Sequence, residues 1–491
     1  MSASRSARGR GVRGVPGASL AFFDEVRVAE PRLAPRAIET TIAFVPAKGR
    51  VKRFTLRYRY DRAVVGNGWR AANHARVLAA TPAVNYALFA KRLVLDYAVT
   101  KEDRAWIERA IAVTAREQVL NRFATESPHP LILPEYHTPV GDFVPAMVER
   151  TARLVAGRDR APRGEAAPAS DPGRFAVLSS GGKESLLTYG LLRELGREVH
   201  PVFVNESGRH WHTALTSWRH LSAADPRARR VWTDVDRLYV GANRILPCVR
   251  PDFQRVAADV YPTQLWTFSN YQLAALPVLW ADGAGTLAMG NEYDEGPWPE
   301  VKGVRHWHGI HDQSVEFDAA ASEYYVRKAW GVAQTSLVRP LTCYAIQGLL
   351  GTRYPDLFET QTSCHATTIR RDARGDTTVV PCGRCSKCLG VLLFLGANGL
   401  DATRIRYRSE DVGALAARVG DTRLKLDEGE AEHALASLVA RGWRFEGSAN
   451  GFEPRRHRGA VALHERGWRP PRGIGAGLRR IFREGLSAGR R

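Results

Sequence analysis

At 491 residues the chain is long enough for two or three domains with sizeable cores, and 44% hydrophobic with 25% charged residues is ordinary for a soluble globular protein. No apolar run reaches the ~20 residues of a membrane span, the best being 390–400, so no membrane insertion is expected. The net charge of +20 raises nucleic acid as a partner, but much of the excess lies in residues 5–13 and 455–491 and no basic, aromatic-interleaved stripe exists. Nucleic acid is therefore not the expected partner, and attraction of an anionic small substrate explains the charge at least as well.

In chain order, residues 1–19 are basic without an apolar core or cleavage site and read as a floppy tail, not a signal peptide. Residues 20–156 read as an N-terminal α+β domain. Its strands are expected at 40–45 and 53–59 around a Pro46-Ala47-Lys48-Gly49 turn, and its helices at 83–97 and 101–122. Thr100 is a natural N-cap for the second helix, with Asp103 three residues on. Residues 157–173 are rich in Pro, Gly and Ala and read as a linker. From 174 to 400, strands at 175–178, 199–204, 231–235 and 286–289 alternate with helices at 185–195, 211–221 and 265–280. That alternation predicts a doubly wound parallel α/β sheet, with ligands at the carboxyl ends of its strands. Residues 401–454 read as a small C-terminal α/β segment with a helix at 430–441 stopped by Gly442, and 455–491 as a basic tail.

The strongest motif is Ser179-Ser180-Gly181-Gly182-Lys183-Glu184-Ser185, between the 175–178 strand and the following helix. A tight glycine turn there aims backbone N–H groups, the positive end of the helix dipole and the hydroxyls of Ser180 and Ser185 at one point, which makes a phosphate cradle. The rival reading is an ordinary glycine turn. The spacing matches neither G-x-x-x-x-G-K-[ST] nor G-x-G-x-x-G, which removes the P-loop kinase and dinucleotide readings.

A second motif is Cys364 followed by Cys382-Gly383-Arg384-Cys385-Ser386-Lys387-Cys388, a spacing that brings four thiolates onto one tetrahedral Zn²⁺ in a closed, structural site. His365 as a substitute ligand, an iron–sulfur cluster and incidental buried cysteines are the alternatives. The clustering argues against a disulfide scaffold and for a reducing, cytoplasmic location. Arg-His-Trp-His occurs twice, at 209–212 and 305–308. In an extended loop its two histidines would share a side, as proton carriers or phosphate contacts, although a tetrapeptide can repeat by chance. Asp294 and Glu295, at a strand end, are candidates to hold Mg²⁺ (or Mn²⁺) on ATP phosphates, against a merely solvated acidic loop.

The S-G-G-K-E-S loop resembles the S-G-G-x-D-S pyrophosphate (PP) loop of the N-type ATP pyrophosphatases, with Glu184 in place of the family's aspartate. With the P-C-G-x-C-x-x-C element it resembles the 7-cyano-7-deazaguanine synthase branch. That branch is shorter and has an aspartate-tyrosine-glycine-glutamine element where this chain reads Asn205-Glu206-Ser207-Gly208. Taken with the N-terminal domain, K-E-S-L-L-T-Y-G-L-L, N-E-S-G-R-H-W, G-N-E-Y-D and C-G-R-C-S-K-C, the chain is similar over roughly residues 20–450 to the ATP-dependent UDP-N-acetylmuramoyl-L-alanyl-L-glutamate epimerases of peptidoglycan synthesis. The resemblance implies an isomerase that adenylates the terminal glutamate carboxylate of a UDP-muramoyl-dipeptide, ATP going to AMP and pyrophosphate, and then inverts the α-carbon. It also implies functional pairing with a muramate-L-alanine:L-glutamate ligase.

In that scheme Ser180, Gly181, Gly182, Lys183, Glu184 and Ser185 hold ATP, and His210, His212 or Cys343 carries the proton, with the base undecided. Arg209 and Arg305 bind substrate anions. A synthase-like carboxylate-activating ligase and a tRNA-modifying ATP pyrophosphatase are the competing readings.

Overall fold

The computed structural model describes residues 20–160, 167–206, 210–256, 261–293, 300–364, 366–371, 377–424 and 426–488, with no side-chain description at 210 and 488. Its centre is an 11-stranded sheet. Strands β1 (Phe23–Val28), β2 (Ala37–Pro46) and β3 (Lys52–Tyr60) precede helix α1 (Trp69–Val84), strand β4 (Ala90–Val99) and helix α2 (Lys101–Gln118). Strand β5 (Arg153–Arg158) closes this part. The second part runs β6 (Asp171–Leu178), α3 (Lys183–Glu194), β7 (Glu198–Glu206), α4 (His210–Ala224), β8 (Arg229–Thr233), α5 (Thr267–Asp282), β9 (Ala284–Met289) and β10 (Ala333–Ser336). The sheet order is β10-β9-β6-β7-β8-β3-β2-β1-β4-β5, with the short strand Arg32–Ala34 pairing off β2.

The five strands from β10 to β8 are all parallel. An antiparallel pairing of β8 with β3 then joins them to the N-terminal strands, so one sheet runs through both parts. From β6 the chain winds to one side through β7 and β8, and then returns to β9 on the other side of β6. The carboxyl ends of β6 and β9 therefore flank a topological switch point, where α/β sheets open a crevice for ligands.

Two apolar cores lie on the sheet. One packs α1, α2 and α5 over the N-terminal strands through residues such as Val77, Ile111 and Leu276. The other joins α3 to the C-terminal helices and takes in Cys364 and Cys388. Helices α6 (Cys343–Arg353), α7 (Ser386–Ala397), α8 (Glu428–Ala440) and α9 (Gly475–Ala488) belong to this second core. No helix among the described residues is long and apolar enough to cross a membrane.

The doubly wound α/β expectation holds, and Thr100 with Asp103 forms the expected capping box at the start of α2. Three local expectations are corrected. Residues 83–97 are not one helix: α1 ends at Val84 and Arg92-Leu93-Val94-Leu95 falls in β4, where paired strands on both sides outweigh local helix propensity. The described residues of 401–454 form helices and loops, with no strand among them. In the basic terminal stretch α9 forms a packed helix, because Leu478, Ile481 and Phe482 share one buried face.

Candidate functional site

The loop after β6 is anchored before it turns: Ser179 N–H donates to the carbonyl of Val202 on β7 at 2.9 Å. Gly181 then adopts φ +78°, and a Cβ there would stand 2.5 Å from the carbonyl oxygen of Thr213. Only glycine fits at that position. Gly182 is the N-cap of α3 in an extended conformation, with no side chain closing the cap, so the first-turn amides of α3 face the crevice. The serines brace the turn. Ser180 N–H donates to Ser185 Oγ at 3.3 Å, Gly182 N–H to Ser180 Oγ at 3.3 Å, and Ser185 Oγ–H to the Gly182 carbonyl at 3.1 Å. The buried hydroxyl of Ser179 has no hydrogen-bond partner among the described residues. Open first-turn amides and a helix dipole together make an anion cradle.

Across the switch point the end of β9 presses on this loop. A Cβ on Gly290 would lie 2.8 Å from Glu184 Cβ, so glycine allows the two loops to touch. Ser336 Oγ–H donates to the carbonyl of Asn291 at 2.6 Å and Arg339 Nη1 to that of Glu292 at 2.9 Å, which turns the Glu292 side chain inward. Cys343 opens α6 behind the Thr342 cap and reaches Glu292 Oε1 at 3.5 Å and Lys183 Nζ at 3.4 Å. Lys183 also pairs with Glu184. From the C-terminal part, Glu430 on α8 accepts from the backbone N–H of Cys343 at 3.3 Å and of Tyr344 at 2.7 Å.

Lys183, Glu184, Glu292 and Cys343 are half-buried, so their protonation follows from partial desolvation balanced against neighbours. Burial alone would lower Lys183, but Cys343, Glu184 and Glu292 around it hold it well above the usual lysine range. Burial would raise Glu184, and Lys183 overrides it and keeps the carboxyl ionised. Glu292 goes up through burial and the Glu184 charge, and Cys343 goes up through burial and Glu292. Glu430 is pushed up to about 7 by burial. The result is one ammonium–carboxylate pair beside a neutral thiol.

Cys364, Cys382, Cys385 and Cys388 come together with all four sulfurs within 4.8 Å of one another. The Cys364–Cys385 and Cys382–Cys388 sulfurs are 4.0 and 3.8 Å apart, close to the ~3.8 Å edge of a tetrahedron with Zn–S of about 2.3 Å. Backbone N–H groups of Cys382, Cys385 and Cys388 each donate to a cysteine sulfur at 3.4 Å, the solvation that thiolates need. The donor set fits a closed zinc site. At the switch point, a carboxylate oxygen of Glu184, one of Glu292 and the Cys343 sulfur also lie within 4.8 Å of one another. There the two carboxylates fit a hard cation such as Mg²⁺, while the thiol does not.

The loop residues, Cys343 and the four knuckle cysteines thus stand where ligand chemistry would use them. His212 is half-buried on α4 and lines a cavity over the knuckle. Because α4 begins at His210, residues 210–212 of the first Arg-His-Trp-His copy are helical and not an extended loop. The second copy lies against α2: Trp307 N–H donates to Glu117 at 2.6 Å, and exposed Arg305 approaches Glu316 at 3.9 Å. Arg209, His365, Asp294, Glu295 and the side chain of His210 lie outside the described residues. Sequence reasoning missed Glu292 and Glu430. Glu292 stood in the same acidic stretch as Asp294, two residues after Gly290; Glu430 carries no local signal.

No family model matches the chain. Over 139 residues it is 28% identical to 7-cyano-7-deazaguanine synthase of Chlorobium phaeobacteroides strain BS1, and 27% identical to the synthase of the same name from strain DSM 266. Each match covers 27% of this chain, and the chain spans 60% of the length of these curated relatives. The fold and site are those of an α/β protein with a PP-loop-like cradle and a four-cysteine knuckle. The isomerase class expected from the sequence is corrected here, because both relatives are synthases by name.

Proposed function

We propose that the chain is an ATP pyrophosphatase of the carboxylate-activating, ligase type. A substrate carboxylate oxygen attacks the α-phosphorus of ATP and pyrophosphate leaves with its electron pair. A nucleophile then bonds to the acyl carbon of the adenylate, AMP departs, and the nucleophile gives up its proton. One observation carries the reading: the Ser179–Ser185 cradle stands at the switch point with Lys183, Glu184, Glu292 and Cys343 gathered against it. Similarity to two synthases supports it.

In this reading the amides of α3 and the Lys183 ammonium stabilise charge on the departing pyrophosphate. Mg²⁺, when bound by Glu184 and Glu292, would neutralise phosphate charge. Cys343 holds its proton, so it acts as a donor to the reacting groups and not as a resting thiolate. Glu430 fixes the first turn of α6, and with it the sulfur, by accepting the amides of Cys343 and Tyr344. The knuckle, loaded with zinc, ties the 364 and 382–388 segments to the second core beside the loop.

The test is exchange of ³²P-pyrophosphate into ATP across a set of small carboxylates. Exchange that requires one carboxylate, and that is lost in Lys183→Met, supports the reading. Label entering ATP equally with no carboxylate, or no exchange with any, would oppose it.

A further inference from the structure

Beyond the loop lies a cavity of about 800 Å³ above the knuckle, lined among others by His212, Thr367, Arg370, Arg384, Arg408 and Arg418. We infer that it is a binding site for a polyanionic small molecule, the charged end of the substrate whose carboxylate the loop activates; the inference rests on that functional reading. Its volume suits a ligand far larger than a single phosphate. No carboxylate side chain stands among its described lining residues.

The arginines divide into two kinds. Arg408 and Arg418 are held by Asp411, at 2.8 and 3.1 Å, and Arg418 also donates to the carbonyl of Gly383 at 2.8 Å. They form a fixed wall. The side chains of Arg370 and Arg384 make no hydrogen bond or ion pair with any described residue, and their guanidinium forks suit carboxylate or phosphate groups. Thr367, in the cavity lining, is only 6% exposed, and its buried Oγ1 has no hydrogen-bond partner among the described residues.

The cavity adjoins the cradle. Thr213, next to His212, places its carbonyl against Gly181, and Thr362 N–H donates to the Gly181 carbonyl at 2.9 Å. A ligand seated over the knuckle can thus extend its reacting carboxylate toward the loop. The rival role for these arginines is to offset thiolate charge on the knuckle.

The experiment is calorimetric titration of the full chain, its loop saturated with α,β-methylene-ATP and Mg²⁺, using citrate and, in parallel, inorganic pyrophosphate. The expected result is one added site for at least one of these anions, whichever it is naming the preferred head group. Arg370→Ala should weaken it tenfold or more at unchanged zinc content, with partial recovery in Arg370→Lys. Arg384→Ala is the second variant, scored only where zinc content is intact. Absence of binding to the unaltered chain, equal affinity in Arg370→Ala, or zinc loss as the sole effect of Arg370→Ala would overturn the inference. Failure of the ATP analogue to bind would instead oppose the functional reading, and citrate binding with its Arg370 dependence would still be scored on its own.

Discussion

Gly181 and Gly182 are neighbours in one turn, yet the structure assigns them unequal roles. At Gly181 an alanine must take φ +78°, which costs an L-residue about 1–2 kcal/mol. Its Cβ must also escape a 2.5 Å approach to the Thr213 carbonyl and a 3.0 Å approach to Ala214 Cα, both backbone. Displacing backbone in a packed turn adds strain of about 1–3 kcal/mol, so Gly181→Ala should lose about 2–5 kcal/mol in all. At Gly182 the conformation is extended, with φ −82° and ψ 162°, and the added methyl meets only the ends of two side chains, Glu184 Oε2 at 3.1 Å and Ser180 Oγ at 3.2 Å. There the loss should stay below about 1 kcal/mol. The assay is thermal unfolding of each variant, alone and with α,β-methylene-ATP. Gly181→Ala should melt several degrees lower and lose most of the nucleotide-induced rise, whereas Gly182→Ala should melt near the unaltered chain. Equal melting of the two variants would refute the turn geometry and the argument built on it.

Further expectations concern other regions. The purified chain should carry about one zinc, and Cys385→Ser should lose metal and thermal stability together, because metal binding to such a site is folding energy; a metal-free chain of undiminished stability would contradict the knuckle. Lys183→Met should destabilise the chain by about 1–3 kcal/mol, because Glu184 is left half-buried without its cation. Adding Glu184→Gln should recover stability but not nucleotide binding, and calorimetry with the ATP analogue separates the two effects. Glu117 is pushed up to about 7 by burial, against the amides of Trp307 and Gly309 and the charges of Arg122 and Arg116, which pull it down. Unfolded, it releases its proton near 4.5; folded, it keeps it to about 7. Its stabilisation is therefore complete below about pH 4.5 and lost as pH rises to about 7. Relative to Glu117→Gln, the unaltered chain should lose up to about 3 kcal/mol over that range, measured by chemical unfolding at several pH values. A flat difference would contradict the burial of this carboxyl.

Much of the second part of the fold was legible in local pattern. Strands β6, β7 and β9 are short apolar runs bounded by polar turns, and the Ser-Ser-Gly-Gly turn sits where a strand passes into a helix. The knuckle was legible because cysteine spacing of two residues is a geometric constraint in itself. What escaped was set by long-range contact. Residues 90–99 carry a mixed local signal and become a strand only because β1 and β5 pair on either side. Glu430 lies 87 residues from Cys343 in sequence, and nothing around it marks the helix N-terminus it meets. The repeated Arg-His-Trp-His misled for the opposite reason: identical tetrapeptides took different backbones, one opening α4 and the other crossing α2.

The most direct test of the central claim is the fate of oxygen in a single turnover. A carboxylate that supports pyrophosphate exchange is prepared with ¹⁸O in its carboxyl group and incubated with the chain, ATP, Mg²⁺ and an amine nucleophile. Mass spectrometry then examines the nucleotide and organic products. Carboxyl adenylation followed by acyl transfer predicts AMP carrying one ¹⁸O, free pyrophosphate, and a new bond between the acyl carbon and the nucleophile. ADP as the nucleotide product, unlabelled AMP, or a carboxylate returned unjoined with its α-carbon inverted would contradict it.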